Sequence, residues 1–134
     1  CTSNRTWSRG AGSTMAPGEA CIACHQNSGG EAPTFRVAGT VYPSAHEPND
    51  CYGLNGTTAG VQVIITDAVN RTFTLNVNSA GNFSSSSSMT FPIHAQVKSS
   101  SGVRAMSAAI QSGDCNTCHT QNGTSGAPGR IMAP

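Results

Sequence analysis

Two short runs of this sequence set two thiols and an imidazole at a fixed interval: Cys21-Ile22-Ala23-Cys24-His25 and Cys115-Asn116-Thr117-Cys118-His119. Two cysteines with two residues between them let both sulfurs reach one edge of a flat macrocycle. There each thiol can add across a vinyl group and form a thioether. The histidine directly after the second cysteine then lies under the metal and coordinates it, which is how haem c is attached. Two other chemistries compete for the same cysteines. Paired Cys-x-x-Cys units build tetrahedral zinc sites from four thiolates, but with roughly 15–20 residues between the pairs; here positions 24 and 115 are 91 apart. Disulfides or a redox-active dithiol also use Cys-x-x-Cys. Neither alternative gives a reason for a histidine after both pairs. The duplicated motif therefore predicts two haem c groups bonded to Cys21, Cys24, Cys115 and Cys118, with His25 and His119 as axial ligands.

The chain has four histidines, His25, His46, His94 and His119. Two irons offer four axial positions, so bis-histidine ligation would use all of them, with His46 and His94 as the distal ligands. The competing reading for a lone histidine is an ordinary surface or hydrogen-bonded side chain. In the run from Phe91 to Val97, the alternate residues Phe91, Ile93, Ala95 and Val97 form an apolar face. His94 falls on the other face with Gln96 and Lys98, pointing away from a core. His46 lies in Ser44-Ala45-His46-Glu47-Pro48, a loop able to fold over a haem. Short intervals favour pairing His25 with His46 and His119 with His94; crossed or inter-subunit pairing satisfies the same count. Met15, Met89, Met106 and Met132 are the alternative sixth ligands, and His/Met ligation would raise the potential.

The segments that must position these residues differ in texture. Residues 1–34 are rich in Gly, Ser and Pro, with the first motif on a short helical turn after Pro17-Gly18-Glu19-Ala20. Residues 35–110 read as strands: 35–42, ended by Pro43; 61–66; 71–77, with Phe73, Leu75 and Val77 on one face; 82–84; 91–97; and a last run over 102–108. Turn chemistry separates them, in Asp67-Ala68-Val69-Asn70 and in Asn78-Ser79-Ala80-Gly81. Ser84 to Ser88 reads as an exposed edge or loop. Several short strands at even spacing predict a mainly β fold, an antiparallel sandwich. Residues 111–134 return to a Gly-rich segment carrying the second motif. The expected organisation is thus an N-terminal haem-binding segment (1–34), a β-sandwich (35–110) and a C-terminal haem-binding segment (111–134).

The middle segment resembles immunoglobulin-like and carboxypeptidase-regulatory-like β-sandwiches, in which Gly-x-Val opens a strand and Gly-x-Phe follows a hairpin; Gly39-Thr40-Val41 and Gly81-Asn82-Phe83 carry the likeness. On residues 21–25 and 115–119, with His46 and His94 as inferred distal ligands, the chain resembles small multihaem c-type cytochromes of bacterial periplasmic and extracellular electron transfer. That resemblance implies bis-His haems that exchange electrons and have no open site for substrate, hence no enzyme activity. It also opens the way to assembly into filaments, since some members polymerise with a continuous haem chain. The alternatives are a dihaem redox enzyme such as a peroxidase, which needs a displaceable ligand, and a structural or adhesive β-domain bearing haems.

Composition bounds the rest. The 134 residues fit one domain with extensions, and only 5% are aromatic, so haems would supply apolar surface that side chains do not. Net charge is +1, and the 7 Lys and Arg are scattered, which argues against nucleic acid and against an anionic membrane. No apolar run reaches the roughly 18–20 residues of a membrane span. The chain lacks an initiator Met and a signal peptide, as a processed or trimmed chain would. Low charge, abundant Ser and Gly and exposed strand edges suit packing against copies of itself, with redox proteins or extracellular acceptors as further partners. Six cysteines point to an oxidising, extracytoplasmic compartment, at the cell exterior or outer surface, with the periplasm as the alternative. Haem attachment leaves Cys1 and Cys51. Parity favours a disulfide between them; acylation of Cys1, as in a lipoprotein, would use the same sulfur.

Overall fold

The apolar run after Phe35 forms the strand around which everything else is arranged, β1 (Val37–Tyr42), buried along its whole length. The computed structural model describes all 134 residues. After a helix over Cys21–Asn27 (α1) and β1 come a one-turn helix Gly56–Ala59 (α2), then β2 (Gln62–Thr66), β3 (Thr72–Asn76), β4 (Asn82–Ser85), β5 (His94–Ser99), β6 (Gly102–Ala105) and β7 (Ile131–Met132). One sheet runs β4-β1-β7, the other β3-β2-β5-β6. Every pairing is antiparallel except β1 with β7. The chain is mainly β, as its alternating runs predict.

The two sheets share one core. Val37 and Val41 of β1 and Phe83 of β4 meet Val63 and Ile65 of β2 and Val97 of β5, joined by Val61, Val77 and Ile93. Burying each such side chain is worth roughly 1.5–3 kcal/mol. The hairpins follow the sequence chemistry. Asp67 Oδ1 accepts from the backbone N–H of Val69 and Arg71, and Asn70 takes a left-handed φ of 64°. Asn78 Oδ1 accepts from Ala80 and Asn82 in the same way. β5 begins at His94, after Pro92, because proline has no N–H to give to a ladder.

The terminal segments are more closely built into the fold than their composition suggests. The C-terminal one supplies β7, paired parallel to β1 through Val41 with Ile131 and Tyr42 with Met132. Asp114 bridges Ala38 further back along that same edge. Residues 115–130 are thus an excursion between two short pairings to β1, and they carry the second motif. The N-terminal segment is tied down by a disulfide between Cys1 and Cys51. It is held further by Trp7 N–H to Asp50 O at 2.8 Å and by Asn78 Nδ2 to Ser13 O at 2.7 Å. No helix is long and apolar enough to cross a membrane.

Candidate functional site

Both Cys-x-x-Cys-His motifs lie along β1, although 91 residues separate Ala23 from Asp114, the residues through which they touch. The first occupies α1, a helix of seven residues with none buried and no side-chain cap of its own. Isolated helices this short do not persist in water. An N-terminal partner comes from the other end of the chain: Asp114 Oδ2 accepts from Ala23 N–H at 2.9 Å, doing the work of a cap. The second motif opens on a single 3-10 turn, Cys115–Thr117, whose sequel returns His119 N–H to the Cys115 carbonyl.

Between the two short pairings on its β7 side, β1 leaves the Thr40 N–H without a strand partner, and the Asn116 side chain fills the gap. Asn116 Oδ1 accepts from Thr40 N–H at 3.1 Å. Its amide donates to Thr40 Oγ1 at 3.1 Å and to the Glu19 carbonyl at 2.8 Å. Cys115 fits beside β1 because residue 39 is glycine: a Cβ there would sit 2.9 Å from that of Cys115 and 2.7 Å from the Phe83 ring.

The four motif cysteines are unpaired; Cys115 is buried, Cys21 and Cys118 half-buried, Cys24 exposed. Burial, reinforced by the Asp114 carboxylate, pushes the Cys21 thiol up to about 11 and the Cys115 thiol up to about 12. A dithiol that works by exchange needs a lowered thiol pKa, whereas these shifts leave little thiolate at neutral pH. Nor do three Cys, His, Asp or Glu side chains converge anywhere as a metal cluster would require.

Three of the histidines share one arrangement. His25 Nδ1 is 2.8 Å from the Pro33 carbonyl, His119 Nδ1 2.9 Å from that of Gly129, and His46 Nδ1 2.7 Å from that of Gln121. A carbonyl oxygen only accepts, so each Nδ1 is the donor, and in the neutral ring Nε2 is then the nitrogen with the lone pair. Metal-binding histidines are held in this way, with one ring nitrogen tied to a carbonyl and the other presented to the ion. The His25 ring also lies against Phe35, centroids 5.0 Å apart. On the donor set and on the tautomer of the motif histidines, the residues present fit haem c.

His46 joins the second motif's loop. Its ring packs beside Gly129, where φ is 150° and a Cβ would come within 3.2 Å of the imidazole. The short-interval expectation had set it with His25. His94 is exposed at the start of β5, opposite Thr66, on the face away from the core residue Ile93. It lies on the second sheet, whereas both motifs lie along β1 of the first, and its ring has no hydrogen-bond partner. Met89 packs against the core. Arg130 is a linker with no signal in the sequence. It is 3% exposed and donates to the carbonyls of Glu47, Gly18 and His119 and to the Asn49 side chain, with its guanidinium over the Tyr42 ring. No protein family, characterised protein or solved structure matches this chain.

Proposed function

We propose that this chain is a dihaem c-type cytochrome that transfers electrons outside the cytoplasm, without enzyme activity, and associates with copies of itself. The observation that carries this reading is the tethering of both motif histidines: Nδ1 of His25 and of His119 each donates to a backbone carbonyl, leaving Nε2 to bind iron. The pattern would be incidental in one surface histidine, but it recurs in each Cys-x-x-Cys-His run. Cys21, Cys24, Cys115 and Cys118 would hold the two groups by thioethers, and the raised pKa values of the Cys21 and Cys115 thiols do not suit the dithiol alternative. Bound there, each haem supplies a reversible one-electron couple.

His46 is the distal candidate already poised, its Nε2 free by the same carbonyl device. His94 is presented outward, and this favours a second copy of the chain as the place where its ligation is completed. The exposed edge strand β6 on the same sheet offers a self-pairing surface, in a ring or a filament. The Cys1–Cys51 disulfide supports an oxidising compartment, outside the cell or in the periplasm.

Mass spectrometry of the denatured chain tests the reading. Two haem additions are expected, with a reduced-minus-oxidised spectrum of low-spin c-type haem, and Cys21→Ala with Cys24→Ala should remove one addition only. A chain carrying zinc, or no haem after expression with a haem-attachment system, would overturn it.

A further inference from the structure

We propose that Asp114 and Asn116 are positioning residues that lock the two haem-attachment motifs to each other, so that the two irons behave as one interacting pair. This rests on the dihaem reading above. Both residues lie at the second motif, and each grips the first or the residues leading into it. Asp114, directly before Cys115, takes the N–H of Ala23 from inside the first Cys-x-x-Cys gap at 2.9 Å. Asn116, inside the second gap, gives its amide to the carbonyl of Glu19, two residues before Cys21, at 2.8 Å. The same amide nitrogen is 3.9 Å from the Cys21 sulfur. Residues in such a gap have no required task in an isolated motif. Here a gap residue of each motif is committed to the other.

The lock is rigid for a physical reason. Asp114 and Asn116 are 8% and 2% exposed, and Thr40, which ties Asn116 to β1, is 1% exposed. Buried hydrogen bonds of this kind are costly to leave unmade, so one motif cannot shift without stranding polar groups of the other. Asp114 also brings a carboxyl group to this seam. Its second oxygen, Oδ1, is buried without a partner, and no cation pairs with it. Ionised, the carboxyl would set a negative charge beside Cys21 and Cys115 and favour the more positive, ferric state of the haem bonded at each. It should therefore lower both potentials together.

The test uses the intact, haem-loaded protein, with haem content checked by mass and the potentials read by spectroelectrochemical titration against dithionite. Electron paramagnetic resonance of the ferric state reads the coupling. The wild type is expected to titrate in two one-electron steps with magnetically interacting irons. Asn116→Ala and Asp114→Ala should keep two haems yet weaken the magnetic interaction and narrow the separation of the steps. Asp114→Asn keeps an acceptor oxygen without the charge, so it should preserve the coupling while both midpoints rise. Unchanged coupling in both alanine variants at two haems per chain would overturn the proposal. So would two non-interacting irons in the wild type, a result that leaves the dihaem reading standing. A wild type without haem defeats that reading itself. Should the alanine variants not fold, Asp114→Asn decides: midpoints that do not move would refute the shared role of this carboxylate.

Discussion

Arg130 donates through one guanidinium nitrogen to the backbone carbonyls of Gly18 and His119, at 3.0 and 3.2 Å, and so joins the approach to the first motif to the histidine of the second. Its other nitrogens reach Glu47 and Asn49, in the loop after His46. No single ammonium could replace this geometry, because the fork must serve four acceptors at once. Burial holds the guanidinium pKa below its usual range, yet it stays charged at any ordinary pH. Arg130→Lys is expected to cost about 2–4 kcal/mol, since an ammonium reaches fewer of these oxygens and strands the rest. Urea denaturation followed by circular dichroism measures it, and a change within error of zero would show that the hub is dispensable.

The Cys1–Cys51 bond closes a loop of 50 residues. The chain-entropy relation gives about 4 kcal/mol for a loop of that size. Cys1→Ser with Cys51→Ser should lower stability by up to this amount and open the N-terminal segment to proteolysis ahead of the sandwich. Limited proteolysis with intact-mass readout checks the order of cleavage; simultaneous loss of both regions would mean that the hydrogen bonds at Trp7 and Ser13 suffice.

His94 and His46 should differ in what their loss does to assembly. In the proposed self-associating dihaem protein, His46→Ala is expected to leave one iron high-spin and able to bind carbon monoxide, with association unchanged. His94→Ala should give a high-spin iron and also reduce the mass in solution, because its ring faces outward from the second sheet. Light scattering and the visible spectrum together separate the cases. A His94→Ala protein with wild-type spectrum and mass would assign the sixth position to another side chain, one of the methionines being the first to examine.

Asp67 supplies the pH dependence of the sandwich. Desolvation works against its ionisation, but hydrogen bonds from Thr90 and Arg71 and the Arg71 charge, 2.7 Å away, outweigh it and hold the carboxyl below its ordinary value. A carboxyl whose pKa is lower folded than unfolded stabilises above the unfolded value of about 3.9, and that contribution is lost as pH falls through the folded value. Stability should therefore decline below about pH 4, and Asp67→Asn should flatten this limb while lowering stability at neutral pH. Thermal melts between neutral and acid pH decide; an unaltered acid limb in the variant would place the dependence elsewhere.

The strands β1 to β6 and both main turns were legible because their information is local. Period-2 alternation such as Phe73, Leu75 and Val77, and Asn or Asp side chains that bond their own backbone, need no distant partner. The cysteine and histidine spacing was legible for the same reason. The parity of Cys1 and Cys51 forecast their disulfide. What the sequence left open is everything that depends on which distant segments meet. Ile131 and Met132 are too short a run to read as a strand, and they become β7 only because β1 has a free edge. Asp114 and Asn116 look like ordinary polar residues beside a cysteine; their partners lie 91 and 97 positions away, and chain folding alone sets them together. His46 and His94 look equivalent in sequence. Tertiary structure separates them, since the loop of one is folded against Gly129 and the other is fixed by strand register on the outer face of a sheet.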